Sequence, residues 1–344
     1  MTDNPRPSQR DPSHRDKQIG DLVDRIKQSA DKLAADGSSR GDLKLLSRAL
    51  RELRYGFKVF SPYRHQRKIT IFGSARTAPE APTYEQAVEL GAAMAAAKWL
   101  VVTGAASGIM EAGHRGAGRD HSMGLNIMLP FEQDANPIIA GDHKLVNMKY
   151  FFTRKVMFVK ECDAVVCLPG GFGTLDEALE VLTLLQTGKR DIVPLVLLDA
   201  PGETYWAEFH SFIKNRLLTD GMISEQDLHL YCCTDNVADT VAEVLTFYAN
   251  YHSMRYVRNQ LVLRIVEPIT KEFLAEINGE FTDILASGEI VQRDQLPHEA
   301  NEPELAELTR IAFHFDRRSH GRLRLLIDCL NTGSLNPVKH PRKT

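Results

Sequence analysis

The sequence has no apolar run near the ~20 residues a membrane-spanning helix needs, and its first residues lack the apolar segment of a secretory signal. A cytoplasmic protein is expected, with no membrane partner. Cysteine is scarce: Cys162, Cys167, Cys232, Cys233 and Cys329 make an odd set of five without ligand spacing. A disulfide framework or cysteine-based zinc site is therefore not expected. Excess charge of one sign is missing too, because 42 Lys and Arg face 45 Asp and Glu for a net −3. No global basic surface makes nucleic acid the default partner. The dinucleotide fingerprint G-x-G-x-x-G and the lysine-bearing Walker loop are also absent, which lowers NAD binding and ATP hydrolysis as readings.

What is present is length, 344 residues, enough for two domains and a tail at about 100–200 residues per domain. Residues 1–18, with three prolines and no apolar period, read as a disordered tail. Over 19–60, Ile19, Leu22, Val23, Ile26 and Leu33, then Leu43, Leu46, Leu50, Leu53 and Phe57, recur at helical spacing and predict a helical hairpin. Across 68–250 short apolar runs alternate with helical stretches. Strands are expected at Ile69–Phe72, Leu100–Thr103, Gly124–Leu129, Ala164–Leu168, Val193–Leu198 and Leu228–Cys232. Strict alternation implies an α/β, Rossmann-like, doubly wound and mostly parallel sheet. Residues 258–335 read as a small α+β auxiliary domain in the order β-α-β-β-α, with the stretch Gln295–Pro303 as a loop.

The strongest local signal is Pro169-Gly170-Gly171-Phe172-Gly173-Thr174-Leu175-Asp176-Glu177, between an expected strand and an expected helix. Ligands of doubly wound sheets bind at that carboxyl edge, and the glycines let backbone N–H groups approach an anion at the positive end of the helix. Phosphate is the natural guest. Thr174 and Glu177 have capping-box spacing, the favoured local reading of Glu177; the alternative is a carboxylate serving a ligand as base or cation stabiliser. Arg154 and Lys155 fall near the Phe151–Phe158 line of an apolar helix, where a guanidinium needs an anionic partner, either in the fold or in a substrate. Small-residue turns at Gly73-Ser74-Ala75-Arg76 and Gly104–Glu111 follow two further strands, so three loops converge on one sheet edge. The histidines His114, His121 and His143 lack mutual spacing for a metal site. Lys155 could be nominated as a Schiff-base lysine, but nothing else supports pyridoxal chemistry. The basic run Arg317, Arg318, His320, Arg322 and Arg324 reads first as a solvated face, with an anionic effector site as the sharper alternative.

Gly73-Ser74-Ala75, the Gly104–Met110 turn, Arg154-Lys155 and Pro169–Glu177 followed by Thr183 together resemble the LOG-like nucleotide phosphoribohydrolases, long mislabelled lysine decarboxylases. The likeness covers roughly 68–248, and the longer bacterial branch is the nearer match. It implies hydrolysis of the N-glycosidic bond of a nucleoside 5′-monophosphate, such as AMP or a cytokinin ribotide, to free base and ribose 5-phosphate. It also implies that Arg154 and Glu177 are the catalytic pair. Gly73, Ser74, Ala75, Gly104, Gly108, Lys155, Gly170, Gly171, Phe172, Gly173, Thr174, Asp176 and Thr183 would surround the substrate, and Glu132 is a further binding carboxylate. No metal or other cofactor is implied. The expected assembly is a homodimer with sites shared between subunits, or a higher oligomer. A non-catalytic nucleotide sensor using the same pocket is the competing function. Ala105-Ala106 and Gly124–Glu132 depart from the compact plant-type members, which bears on the choice of base more than on the chemistry.

Overall fold

The computed structural model describes residues 12–129, 134–300 and 302–336. Two compact units divide between Arg54 and Tyr55. The first comprises α1 (Pro12–Ala35) and the N-terminal part of α2 (Arg40–Phe60). Between the helices the chain turns at Gly37, whose φ is +71°. Ser39 and Asp42 then cap α2 reciprocally: the Asp42 N–H donates to Ser39 Oγ at 3.2 Å and the Ser39 N–H to the Asp42 carboxylate at 3.0 Å. Helix from Pro12 onward corrects the expectation of a tail over 12–18, because the helical pattern begins before the apolar period does; residues 1–11 lie outside the described residues.

The second unit holds a seven-stranded parallel sheet: β1 (Lys68–Phe72), β2 (Leu100–Thr103), β3 (Ser122–Ile127), β4 (Leu145–Met148), β5 (Ala164–Cys167), β6 (Leu195–Leu198) and β7 (Cys232–Thr234). Its spatial order is β4-β3-β2-β1-β5-β6-β7, every neighbouring pair parallel. The chain builds outward from β1 to β4 and then returns to place β5 on the other side of β1. The reversal leaves a crevice at the carboxyl ends of β1 and β5, where such sheets bind ligands. The crossovers are α3 (Pro82–Ala96), α4 (Ile109–His121), α5 (Phe151–Glu161), α6 (Phe172–Gln186) and α7 (Tyr205–Phe212), which runs on as a wider turn over Ile213–Leu218; α8 (Val237–Phe247) follows the last parallel strand.

Strand alternation sorts the two faces. Ile69, Ile71, Val101, Val166 and Val196 pack with Leu90 and Met94 of α3, Ile109 of α4 and Val244 of α8. Phe72 points the other way and meets Phe158 of α5 edge-on at 4.9 Å between centroids. With both faces covered, β1, β2, β5 and β6 are buried throughout, which is why they read as unbroken apolar runs.

Three expectations need correction. The edge strand β4 was not foreseen, because Leu-Val-Asn-Met is only four residues long and buried at alternate positions. The strand placed at Leu228–Cys232 begins only at Cys232, since Glu225–Leu230 is a tight helical turn closed by Ser224 and Asp227. In the C-terminal part, β8 (Tyr251–Val257) precedes β9 (Gln260–Ile265), α9 (Lys271–Glu280), β10 (Leu285–Arg293), β11 (Thr309–Phe315) and α10 (His320–Thr332). The module is thus β-β-α-β-β-α, an antiparallel sheet ordered β10-β11-β9-β8, and it belongs to the same compact unit as the parallel sheet. Its interior holds ionic groups: Glu299 accepts from Arg264 at 2.6 Å and from Arg310 at 3.0 Å, all three buried. Part of the basic run of this module is consumed by ion pairs. Arg322 pairs with Asp283 and Glu280, and Arg324 is buried against Glu243 and Asp328. The solvated-face reading therefore holds for Arg317 and Arg318, which are exposed, and is corrected for His320, Arg322 and Arg324.

Candidate functional site

The crevice is a cleft of about 800 Å³ lined by the loop after β1 (Gly73–Arg76), Met110 of α4, Phe151 and Arg154 of α5, and Gly170–Glu177. Short backbone bonds lock the loops together: the Ser74 N–H donates to the Pro169 carbonyl at 3.1 Å, and the Ile109 N–H to the Ser74 carbonyl at 3.0 Å. Gly108 makes the second contact possible. Its φ is +63°, and a Cβ there would sit 2.3 Å from the Ser74 carbonyl oxygen. Gly104 serves a like purpose for α5, since a Cβ would meet Met110 Sδ at 2.7 Å and Arg154 Nη2 at 3.0 Å. Both glycines therefore shape the site from behind its wall. The same turn hangs on buried His114, which bonds the Thr103 hydroxyl (3.1 Å), the Met123 carbonyl (2.9 Å) and the Asn136 amide (3.2 Å). Burial lowers this imidazole to about 4, so it is neutral and structural at physiological pH.

Helix α6 starts at Phe172, with Gly171 as its N-cap and no side-chain cap bond. Thr174 is thus the third residue of the helix, and the Thr174–Glu177 capping box does not form. The glycine run lets the helix begin earlier than its apolar period suggests. Among the described residues nothing accepts from the N–H groups of Gly171, Phe172 and Gly173, which leaves donors at the positive end of the helix. A Cβ at Gly171 or Gly173 would meet nothing within 4 Å. The fold gives these two positions no steric reason to be glycine, whereas a ligand lying against the loop would. Tyr205 of α7, unforeseen from sequence, donates to the Gly170 carbonyl at 2.7 Å and steadies the loop.

One turn into α6, Glu177 is buried at 6% exposure and is among the residues that line the cleft. Its ion-pair partner is Lys155 at 3.5 Å, not Arg154. Lys155 also reaches Glu180 at 2.6 Å and Asp176 at 3.0 Å. It lines a neighbouring cavity of about 780 Å³ rather than the cleft. Arg154 lines the cleft with a buried Nε that has no partner, and among the described residues no carboxylate oxygen lies within 4.0 Å of its guanidinium. Rings flank it, with Phe158 at 5.3 Å and Phe151 at 5.8 Å.

The charges follow from these surroundings. Burial pushes the Glu177 carboxyl above its ordinary range; Lys155 and Arg154 pull it back, while Glu180 and Asp176 add to the rise. Burial works against charge on Arg154 and Glu177 favours it, the net being a lowered value. For Lys155 burial also opposes the charge, but its three carboxylates outweigh burial and raise it.

Of the expected site residues, Gly73, Ser74, Ala75, Arg154, Gly170, Gly171, Phe172, Gly173, Thr174, Asp176 and Glu177 line the cleft together. Thr183 does not; it is exposed and bonds the Leu179 carbonyl of its own helix at 2.8 Å. Glu132 lies outside the described residues. Arg76 and Met110 join the wall, signalled only by their place beside the small-residue turns. Among the described residues no group of three His, Cys, Asp or Glu side chains could hold a metal ion, and no helix is long and apolar enough to cross a membrane.

A family model described as a possible lysine decarboxylase matches residues 103–244. A cytokinin riboside 5′-monophosphate phosphoribohydrolase of Arabidopsis thaliana, LOG3, is 33% identical over 165 residues, 46% of this chain and 72% of its own. The probable enzyme of the same description from Oryza sativa subsp. japonica, LOGL2, is 30% identical over 193 residues, 54% of this chain and 75% of its own. The chain belongs to the LOG family. A solved structure, the molybdenum cofactor carrier protein of Chlamydomonas reinhardtii, aligns with a TM-score of 0.36 at 20% identity, over 52% of this chain and 96% of that one. The decarboxylase description of the matching family model fits this site poorly: a Schiff-base lysine reacts as a neutral amine, and Lys155 is held as an ammonium by three carboxylates.

Proposed function

We propose that this LOG-family member hydrolyses the N-glycosidic bond of a nucleoside 5′-monophosphate, a cytokinin ribotide or a purine nucleotide such as AMP, releasing the base and ribose 5-phosphate. The observation that carries this reading is Arg154, a cleft-lining guanidinium with no carboxylate within 4.0 Å among the described residues, placed with the open N–H groups of Gly171–Gly173 and with Glu177. The open helix end suits the dianionic phosphate, anchoring the sugar by contacts remote from the reacting bond. Cleavage builds oxocarbenium charge on the ribose, which the Glu177 carboxylate stabilises while it activates water. Arg154 binds substrate oxygens. The exposed apolar residues Phe152, Val156 and Leu179 on α5 and α6 support assembly as a homodimer with its sites at the subunit boundary.

The test is release of base and ribose 5-phosphate from a panel of nucleoside monophosphates, including a cytokinin ribotide, by wild type and Glu177→Gln. Release by wild type and not by the folded variant supports the reading, and the panel names the base. Tight binding without release from any nucleotide refutes hydrolysis and favours a sensor.

A further inference from the structure

The substitution of Lys155 for Arg154 as the partner of Glu177 changes what each cation can do. Asp176, Glu177 and Glu180 sit at i, i+1 and i+4 on α6, so their carboxylates crowd one side of the helix and repel one another. Lys155 reaches across from α5 and touches all three, at 3.0, 3.5 and 2.6 Å respectively. The side chains differ in exposure: Asp176 is 61% exposed, Glu180 33% and Glu177 8%. Water screens the two shorter contacts more, so the ammonium still acts on the buried Glu177 across the longer distance. Lys155 itself does not line the cleft.

We propose that Lys155 is the positioning residue of Glu177, one ammonium shared among three carboxylates, with Glu180 competing against Glu177 for its charge. The inference rests on Glu177 being the working carboxylate of the proposed hydrolysis. The groups that face Glu177 are Arg154 and Lys155 from α5, Asp176 and Glu180 from its own helix, and the Cys167 thiol from β5, which burial keeps uncharged. Two cations against three carboxylates leave one net negative charge beside the ribose, the sign an oxocarbenium ion requires. Glu180 is therefore a brake on the charge of Glu177 that lies outside the cleft lining.

The full-length protein, labelled with 13C at glutamate carboxyl carbons, is titrated by NMR as wild type, Lys155→Met, Lys155→Arg and Glu180→Gln; the Glu177 signal is the one lost in Glu177→Gln. Lys155→Met is expected to move the Glu177 titration to higher pH, Lys155→Arg to return it toward wild type, and Glu180→Gln to move it to lower pH. The acid limb of kcat/KM follows in the same directions, with roughly tenfold lower kcat/KM on the acid side for Lys155→Met and KM nearly unchanged. Coincident titrations of wild type and Lys155→Met, or shifts of Lys155→Met and Glu180→Gln in the same direction, overturn the inference. Should Lys155→Met lack a cooperative melt, Glu180→Gln decides: a downward shift supports the assignment, and no shift or an upward one refutes it. The NMR arm needs no turnover, so a protein that hydrolyses no nucleotide would sink the proposed function without touching this result.

Discussion

Gly173→Ala separates fold from function at a single methyl group. Gly173 is the second residue of α6, its backbone is helical, and a Cβ there meets no atom within 4 Å. Inside a helix glycine is less favourable than alanine by about 0.5–1 kcal/mol. At the second position the lower end applies, so the variant should gain about 0.5 kcal/mol, or roughly 1–2 °C in Tm. The same methyl stands in the cleft wall where the phosphate would meet the helix N–H groups. Losing one charge-assisted bond there is worth about 1.5–3 kcal/mol, or roughly 10- to 150-fold in kcat/KM. Differential scanning fluorimetry and steady-state kinetics on the same preparation read both effects. A variant that is destabilised, or that is stabilised with unchanged kcat/KM, would refute the idea that these glycines exist for the ligand.

Glu177→Gln should abolish turnover and raise stability at neutral pH. The folded-state pKa of Glu177 lies above its unfolded value, chiefly through burial, so the ionised group costs stability above the folded pKa. The advantage of Gln should shrink as pH falls toward the unfolded value; urea melts at several pH values check the trend, and a constant difference contradicts it. Arg154→Met removes a buried cation that forms no ion pair within 4.0 Å among the described residues, so the fold should persist while kcat/KM drops on the order of 10²-fold or more; a drop below threefold would take Arg154 out of substrate binding. Tyr205→Phe deletes the hydroxyl bonded to the Gly170 carbonyl and should cost about 1 kcal/mol of stability with a rise in KM. Melting and substrate titration test it, and an unchanged KM would make the bond purely structural.

Much of this protein is legible along the chain because its central strands are covered on both sides. Ile69–Phe72 and Ala164–Cys167 must be apolar at every position, and such runs, spaced by helical stretches, already imply a parallel sheet. Strands with one face uncovered carry no such mark, and β4 and β8 were missed for that reason. The site loops were equally legible, since a glycine-rich junction after a buried strand has few other uses. Where α6 begins was not, because glycine has no preference that marks the first turn, and the capping-box spacing of Thr174 and Glu177 pointed three residues too far along.

The order of residues alone thus determined the fold class, the three converging loops and the pair of helices that carry the charges. It could not decide which charge meets which. Arg154 and Lys155 are neighbours in sequence, about 100° apart around α5, and both fit equally well opposite an acidic helix. Only the packing of α5 against α6 turned Lys155 behind the wall onto three carboxylates and left Arg154 facing the open cleft. The same packing, with Gly108 admitting the Ser74 carbonyl, brought loops 35 and 95 residues apart in the chain into hydrogen-bond contact. Such contacts depend on distances that no local pattern encodes.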